Sequence, residues 1–328
     1  MNDSLRERIR HNSFARMWLY RFLKTCDSIS LYRDLYGSRI KSKTNDLGQF
    51  PAELSIETIN LCNARCTICA HPDMRRKKSL MDTSLANGLI EQAAQSKLQK
   101  LFLSGFGEPL LDKRLPEFVA LAKSRGINDI GIVTNGYLLT PDIAGILIES
   151  GLTEIVISID GFTAESYEKI RLGLKFDRLV KNIQQLSSLK NRSKVRVRLS
   201  CVDLVTNHNQ KKIAHRLFGR YVDGIDFRQA QGWTALYGQQ IAFRTPHFIP
   251  NPIPCRYLWD SMSVYIDGTV PACCLDYEAK GVMGNAAETP LSDIWNGNRF
   301  ADYRQAHLEG RKSELEPCHG CGYYSVWW

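Results

Sequence analysis

The chain has 328 residues, 44% of them hydrophobic and 23% charged, with a formal net charge of +9. This excludes intrinsic disorder and leaves room for about two domains, or for one barrel of roughly 200–250 residues with an appendage. No apolar run approaches the ~20 residues of a membrane-spanning helix, and Arg16, Arg21 and Lys24 interrupt the apolar stretch a signal peptide would need, so a cytoplasmic protein is expected.

In chain order, residues 1–50 hold ten Lys or Arg against five Asp or Glu, so the basic excess is concentrated there. Phe14, Met17, Trp18, Phe22 and Leu23 recur at helical spacing between arginines, predicting a basic amphipathic segment able to pack on the main domain, an anionic membrane surface or a partner. From residue 51 a βα alternation begins. β-Rich runs at Glu53–Asn60, Lys100–Ser104, Asp129–Thr134, Glu154–Ile159, Lys194–Cys201 and Gly224–Arg228 are separated by helical patterns. Asp82 or Thr83 can cap the first of these helices, Pro141 can start another, and Leu179, Ile183 and Leu186 mark the apolar stripe of a third. Strands alternating with helices imply a parallel sheet, either doubly wound or a partial barrel, with its chemistry at the C-terminal strand ends. The alternation stops near residue 230. A Pro-, Gly- and Gln-rich connector over 231–254 leads to a small subdomain over 255–328, which opens on an expected hairpin of Ser263–Ile266 and Thr269–Ala272 around Asp267-Gly268.

Ten cysteines in a reducing compartment read as metal ligands or reactive thiols ahead of disulfides. Cys62, Cys66 and Cys69 lie on the loop after the first strand. Three thiolates there can hold an iron-sulfur cluster while leaving one iron open to bind and activate a small molecule. The alternative is zinc held by the same three with His71, although a βα domain of this size can stand on its own core without a metal staple.

These residues resemble the radical S-adenosylmethionine (radical SAM) superfamily, whose hallmark is a Cys-x3-Cys-x2-Cys loop after the first strand. The likeness extends over about residues 53–230. Ser104-Gly105-Phe106-Gly107-Glu108-Pro109 is similar to the family's Gly-Gly-Glu motif, Thr134-Asn135-Gly136 ends the third strand, and Ser158-Ile159-Asp160-Gly161 ends the fourth. The resemblance implies a partial (βα)6 TIM-like barrel. It further implies that Ser104, Gly105, Gly107, Glu108, Thr134, Asn135, Ser158, Asp160 and Arg171 bind the S-adenosylmethionine cofactor. Ile68 departs from the aromatic residue many members carry before the third cysteine.

Cys255, Cys273, Cys318 and Cys321 form a second set, with Cys274 spare. Four thiolates can close a cluster or hold a structural zinc ion. The set resembles the twitch or SPASM auxiliary-cluster subdomain, implying two [4Fe-4S] clusters in all.

The resemblance implies reductive cleavage of S-adenosylmethionine and abstraction of a substrate hydrogen atom by a 5′-deoxyadenosyl radical. The expected enzyme dehydrogenates or epimerises a sugar, cyclitol or nucleotide-linked sugar, a small and possibly anionic substrate, and draws electrons from a flavodoxin- or ferredoxin-type reductant. Epimerisation needs a hydrogen donor; Cys201, at the end of the fifth strand, is the candidate, with Cys274 the second. The alternatives are a peptide-modifying radical enzyme and a zinc-stabilised interaction protein. No combined aromatic and basic nucleic-acid signature stands out beyond the tail.

Overall fold

A computed structural model describes residues 50–96, 98–190, 193–204, 206–229, 254–319 and 321. The amphipathic segment, Cys26 and the connector over 231–253 lie outside the described residues.

The strands are β1 (Glu53–Ile56), β2 (Arg65–Cys66), β3 (Lys100–Phe102), β4 (Ile130–Thr134), β5 (Glu154–Ser158), β6 (Arg171–Leu172), β7 (Arg196–Asp203), β8 (Gly224–Gln229), β9 (Ser261–Val264), β10 (Thr269–Pro271) and β11 (Val282–Asn285). The helices between the first eight strands are α1 (Thr83–Gln95), α2 (Leu115–Ser124), α3 (Pro141–Glu149), α4 (Ala164–Ile170), α5 (Phe176–Lys190) and α6 (Lys211–Phe218). The C-terminal part adds α7 (Tyr257–Asp260), α8 (Leu291–Trp295) and α9 (Asn298–Leu308). All six expected strands are present, joined in a parallel sheet of order β8-β7-β5-β4-β3-β1-β9.

Local chemistry sets the helix starts. The Asp82 carboxylate accepts from the Ser84 and Leu85 amides to cap α1, and Thr140 caps α3 with Pro141 in its first turn. Each such cap stabilises its helix by about 1 kcal/mol. Leu179, Ile183 and Leu186 are buried along α5 as their spacing predicts.

Strand alternation sorts the side chains into two faces. Ile155, Ile157 and Ile159 of the β5 segment and Val197, Leu199 and Cys201 of β7 join the core shared with the helices. Ile157 and Leu179 of α5 meet at Gly136. The other face carries Val133, which is 38% exposed, and its register partner Val156. The same inner face carries a level row of polar residues, because Ser158 pairs with Ser200 and Ser200 with Asp226.

The expected hairpin around Asp267-Gly268 is present but short. The turn is real: Gly268 donates to the Tyr265 carbonyl at 2.9 Å and holds a φ of +85°. Beyond it the Tyr265 amide donates to the Thr269 carbonyl at 2.9 Å, closing the hairpin, and the two arms then take different partners. β9 runs parallel to β1, with Leu54 opposite Met262, while β10 pairs antiparallel with β11. Leu54 and Met262 are both buried, so extending the main sheet removes more apolar surface from water than a free hairpin would.

Candidate active site

The loop carrying Cys62, Cys66 and Cys69 is fastened from three sides. Cys66 pairs with Arg171 in the two-residue ribbon of β2 and β6, the Thr67 amide donates to the Ile170 carbonyl at 2.8 Å, and Asn63 Oδ1 accepts from Asn135 Nδ2 at 2.7 Å. The loop therefore rests on the ends of β4 and α4. All three thiols are partly buried, and burial raises each of them, Cys62 and Cys69 to about 11. Such thiols stay protonated at neutral pH unless a metal replaces the proton.

A single zinc ion suits this loop poorly. His71 donates Nε2–H to the Asn60 carbonyl at 2.8 Å, while its backbone amide donates to Cys69 Sγ at 3.4 Å. Among the described residues no group of three or more His, Cys, Asp or Glu is gathered closely enough for one metal ion. A cubane cluster spreads its thiolate ligands more widely than one ion does.

Arg171 places positive charge beside this set. Its Nη1 lies 3.9 Å from Cys66 Sγ and its Nη2 donates to Asp160 Oδ2 at 2.5 Å. Burial works against the guanidinium charge, but Asp160 and Cys66 raise its affinity for the proton above the ordinary value. Arg171 Nε and the Tyr167 hydroxyl are buried without hydrogen-bond partners. Unpaired buried donors are costly and rare, so two within electrostatic reach of Cys66 fit a polar or anionic group bound nearby. An anionic thiolate cluster with a polar nucleoside is such a group.

The Ser104–Pro109 loop lies close against the cluster loop. A Cβ on Gly107 would stand 2.5 Å from the Ile59 carbonyl oxygen and 2.7 Å from that of Leu61, and one on Gly105 would strike the Glu57 side chain. The Glu108 amide donates to the Leu61 carbonyl at 2.8 Å. Its carboxylate, 2% exposed, accepts from the Thr134 hydroxyl at 2.5 Å, the Asn135 amide at 2.7 Å and the Leu110 amide at 3.1 Å. Burial raises its affinity for the proton while these donors oppose the rise. Glu108, Thr134, Asn135 and Asn63 thus form one chain of hydrogen bonds ending on the cluster loop.

Other expected positions fall as follows. Ser104 Oγ accepts from the Val133 amide at 2.7 Å, stitching β4 to the end of β3. Ser158 stands on the inner face. Asp160 has both oxygens engaged, one by Arg171 and one by the Val202 amide at 2.8 Å. Cys201 is fully buried on the helix-packed face, its Sγ 3.6 Å from Asn207 Nδ2 and 3.5 Å from the Val202 carbonyl. The thiol therefore does not join the inner-face row of Ser158, Ser200 and Asp226, contrary to the expectation of a donor facing the reaction.

Two residues were missed in the sequence. Glu57, just past β1, is 1% exposed and takes Arg76 in a two-point ion pair at 2.8 and 3.0 Å. The Arg76 guanidinium lies 3.7 Å from the Tyr265 ring centroid, and its Nε donates to the Tyr277 carbonyl at 2.7 Å. A carboxylate directly after the buried Ile56 that ends β1 is the signal that marks Glu57.

In the C-terminal part, Cys255, Cys273, Cys318 and Cys321 are all partly buried. Burial pushes the Cys318 thiol upward, and Cys273, Cys255 and Cys321 add to the rise, which places the four within electrostatic reach of one another. Cys274 hydrogen-bonds to Cys273. Burial lowers His307 to about 4, so its ring is neutral at physiological pH. Cys273, raised by Cys274 and by burial, and Cys318 thus stay protonated at neutral pH unless a metal replaces the proton.

Residues 56–213 match the radical SAM superfamily, and residues 255–322 match SPASM, an iron-sulfur cluster-binding domain. The S-adenosyl-L-methionine-dependent 2-deoxy-scyllo-inosamine dehydrogenase of Niallia circulans is 25% identical over 83% of this chain and 93% of its own length. The GTP 3′,8-cyclase of Chlorobaculum tepidum is 31% identical, but over only 44% of this chain and 43% of its own. Among solved structures, BtrN in complex with AdoMet and 2-DOIA superposes with a TM-score of 0.63 at 23% identity, covering 85% of this chain and 95% of BtrN. Streptococcus suis SuiB bound to the precursor peptide SuiA gives 0.65 at 15% identity, covering 87% and 74% respectively. Two thiol sets, the fold and both domain matches agree: the chain belongs to the radical SAM superfamily, takes S-adenosylmethionine and [4Fe-4S] clusters as cofactors, and carries a SPASM domain toward its C-terminus.

Proposed function

We propose that this enzyme dehydrogenates a small polyhydroxylated substrate, a cyclitol, aminocyclitol or sugar, converting a secondary alcohol to a ketone. The observation that carries the reading is the likeness to the Niallia dehydrogenase, which extends over 83% of this chain and 93% of that protein. Ser200 and Asp226, level with each other on the inner face, support it by offering a hydroxyl and a carboxylate, as a polyol requires. Arg198 donates to both oxygens of Asp226, at 2.7 Å to Oδ1, and so fixes that carboxylate on the same face.

When bound, the first cluster with S-adenosylmethionine supplies hydrogen-atom abstraction, and the second supplies a one-electron acceptor, together completing a two-electron oxidation. Cys62, Cys66 and Cys69 would hold the first cluster. Arg171 offsets charge beside Cys66, with Asp160 fixing the guanidinium. Glu108 orders Thr134 and Asn135, so that Ser104, Gly105 and Gly107 present backbone groups to the cofactor. Cys255, Cys273, Cys318 and Cys321 hold the second cluster. We place the enzyme in the cytoplasm with a flavodoxin- or ferredoxin-type reductant; no described helix is long and apolar enough to cross a membrane.

The burial of Cys201 favours dehydrogenation over epimerisation, because a hydrogen donor must reach the substrate carbon. The test is anaerobic turnover of 2-deoxy-scyllo-inosamine and a panel of cyclitols and sugars with S-adenosylmethionine and a reductant, in deuterated water. The expected result is one 5′-deoxyadenosine per ketone formed. A product of unchanged oxidation state carrying one solvent deuterium would mean epimerisation and refute the reading.

A further inference from the structure

His307, on α9, lies between two of the proposed auxiliary-cluster ligands. The backbone amide of Cys255 donates to its Nδ1 at 3.1 Å, and its Nε2 lies 3.4 Å from Cys318 Sγ. The first contact decides the tautomer. A nitrogen that accepts an N–H bears no proton, so the neutral ring carries its hydrogen on Nε2, directed at the Cys318 sulfur. A doubly protonated ring would set an N–H against the Cys255 N–H.

The residue is held for this task. It is 2% exposed, and α9 is pinned by Arg304, which donates to the Leu258 and Trp295 carbonyls at 2.8 and 2.9 Å. Lys312, four residues past the end of α9, is within electrostatic reach of Cys255, Cys318 and Cys321 and brings positive charge to the same cluster edge.

We propose that His307 is a positioning residue of the auxiliary cluster: it joins the ligands Cys255 and Cys318 and, through an Nε2–H···S hydrogen bond to Cys318, raises the reduction potential so that the cluster accepts an electron more readily. This rests on reading Cys255, Cys273, Cys318 and Cys321 as cluster ligands. The physical basis is that one-electron reduction places more negative charge on the sulfurs, so a donor aimed at a ligating thiolate stabilises the reduced form more than the oxidised form.

Asparagine and glutamine separate the two contacts. In His307→Asn the amide oxygen can take the place of Nδ1 and keep the Cys255 bond, but nothing reaches Cys318. In His307→Gln the amide nitrogen can take the place of Nε2 and keep the N–H···S bond, while the Cys255 bond is lost. The experiment is an EPR-monitored redox titration with parallel iron assays. It uses the full-length chain in which Cys62, Cys66 and Cys69 are replaced by alanine, so that the auxiliary cluster alone reports.

His307→Asn is expected to weaken reduction about tenfold, which for a one-electron couple is about 59 mV more negative. His307→Gln is expected to stay within about threefold of the parent. Equal potentials in Asn and Gln, or equal loss of iron from both, overturn the proposal and leave the cluster reading standing. A parent without iron overturns the cluster reading and the proposal together. Substrate turnover enters neither measurement, so an error in the substrate class leaves the outcome unaffected.

Discussion

Removing the Arg76 guanidinium tests how the SPASM side is fastened to the barrel. Arg76 binds Glu57 through two hydrogen bonds, lies against the Tyr265 ring and holds the Tyr277 carbonyl, and its side chain is 10% exposed against 1% for Glu57. Breaking a buried pair from one side costs about 3–5 kcal/mol. The lower end applies, because Glu57 keeps the amides of Phe106 at 2.9 Å and Ile266 at 3.4 Å. The lost cation–π contact adds about 1 kcal/mol, for a total near 4 kcal/mol in Arg76→Ala. At roughly 2.1 cal/mol/K per residue over 328 residues this lowers the melting temperature by about 6 °C. Scanning calorimetry of the anaerobically loaded protein reads that shift. The double variant Glu57→Gln with Arg76→Met leaves no stranded carboxylate and is expected to recover about half the loss. A drop of under about 2 °C in Arg76→Ala, or a double variant whose loss equals the sum of the singles, would refute the coupling.

Joint replacement of Cys62, Cys66 and Cys69 by alanine is expected to leave about four irons of eight and to abolish S-adenosylmethionine cleavage, read by iron assay and chromatography of 5′-deoxyadenosine. In Gly107→Ala the new methyl meets the Ile59 and Leu61 carbonyls, so a loss of about 1–3 kcal/mol and reduced iron loading are expected by calorimetry and iron assay. Glu108→Ala strands the Thr134 hydroxyl and the Asn135 amide at a cost of about 1–3 kcal/mol. Cofactor affinity by titration calorimetry should fall at least about tenfold with iron content intact; lost iron would make Glu108 purely structural. Cys201→Ala, in the helix-packed core, is expected to cost about 1–2 kcal/mol while leaving the yields of ketone and 5′-deoxyadenosine unchanged.

The parallel alternation, the cap at Asp82, the helix start at Pro141 and the two cysteine sets were legible because each rests on local spacing. Three features were hidden for reasons of geometry. The alternation of β7 puts Cys201 with Val197 and Leu199, opposite Arg196, Arg198 and Ser200, but a strand pattern alone does not say which of its two faces packs on the helices and which lines the site. The Asp267-Gly268 signal specifies a turn but not the partners of its arms, and β9 found β1 some two hundred residues earlier in the chain. Asp160 at a strand end reads as open to a ligand until Arg171, eleven residues on, takes one of its oxygens. Arg76 and His307 carry no motif at all; each acts through partners brought to it by the fold.

The parallel pairing of β9 with β1 makes the two halves of the chain unequal to separation. Without the C-terminal part, β1 would be left as an unpaired border of the sheet, with the amides and carbonyls that now meet Ser261–Val264 open to any passing strand. A barrel cut off near residue 230 is therefore expected to self-associate, whatever its metal content. The ladder also ties β1, which leads into the first thiol loop, to β9, which lies between Cys255 and Cys273, through main-chain hydrogen bonds.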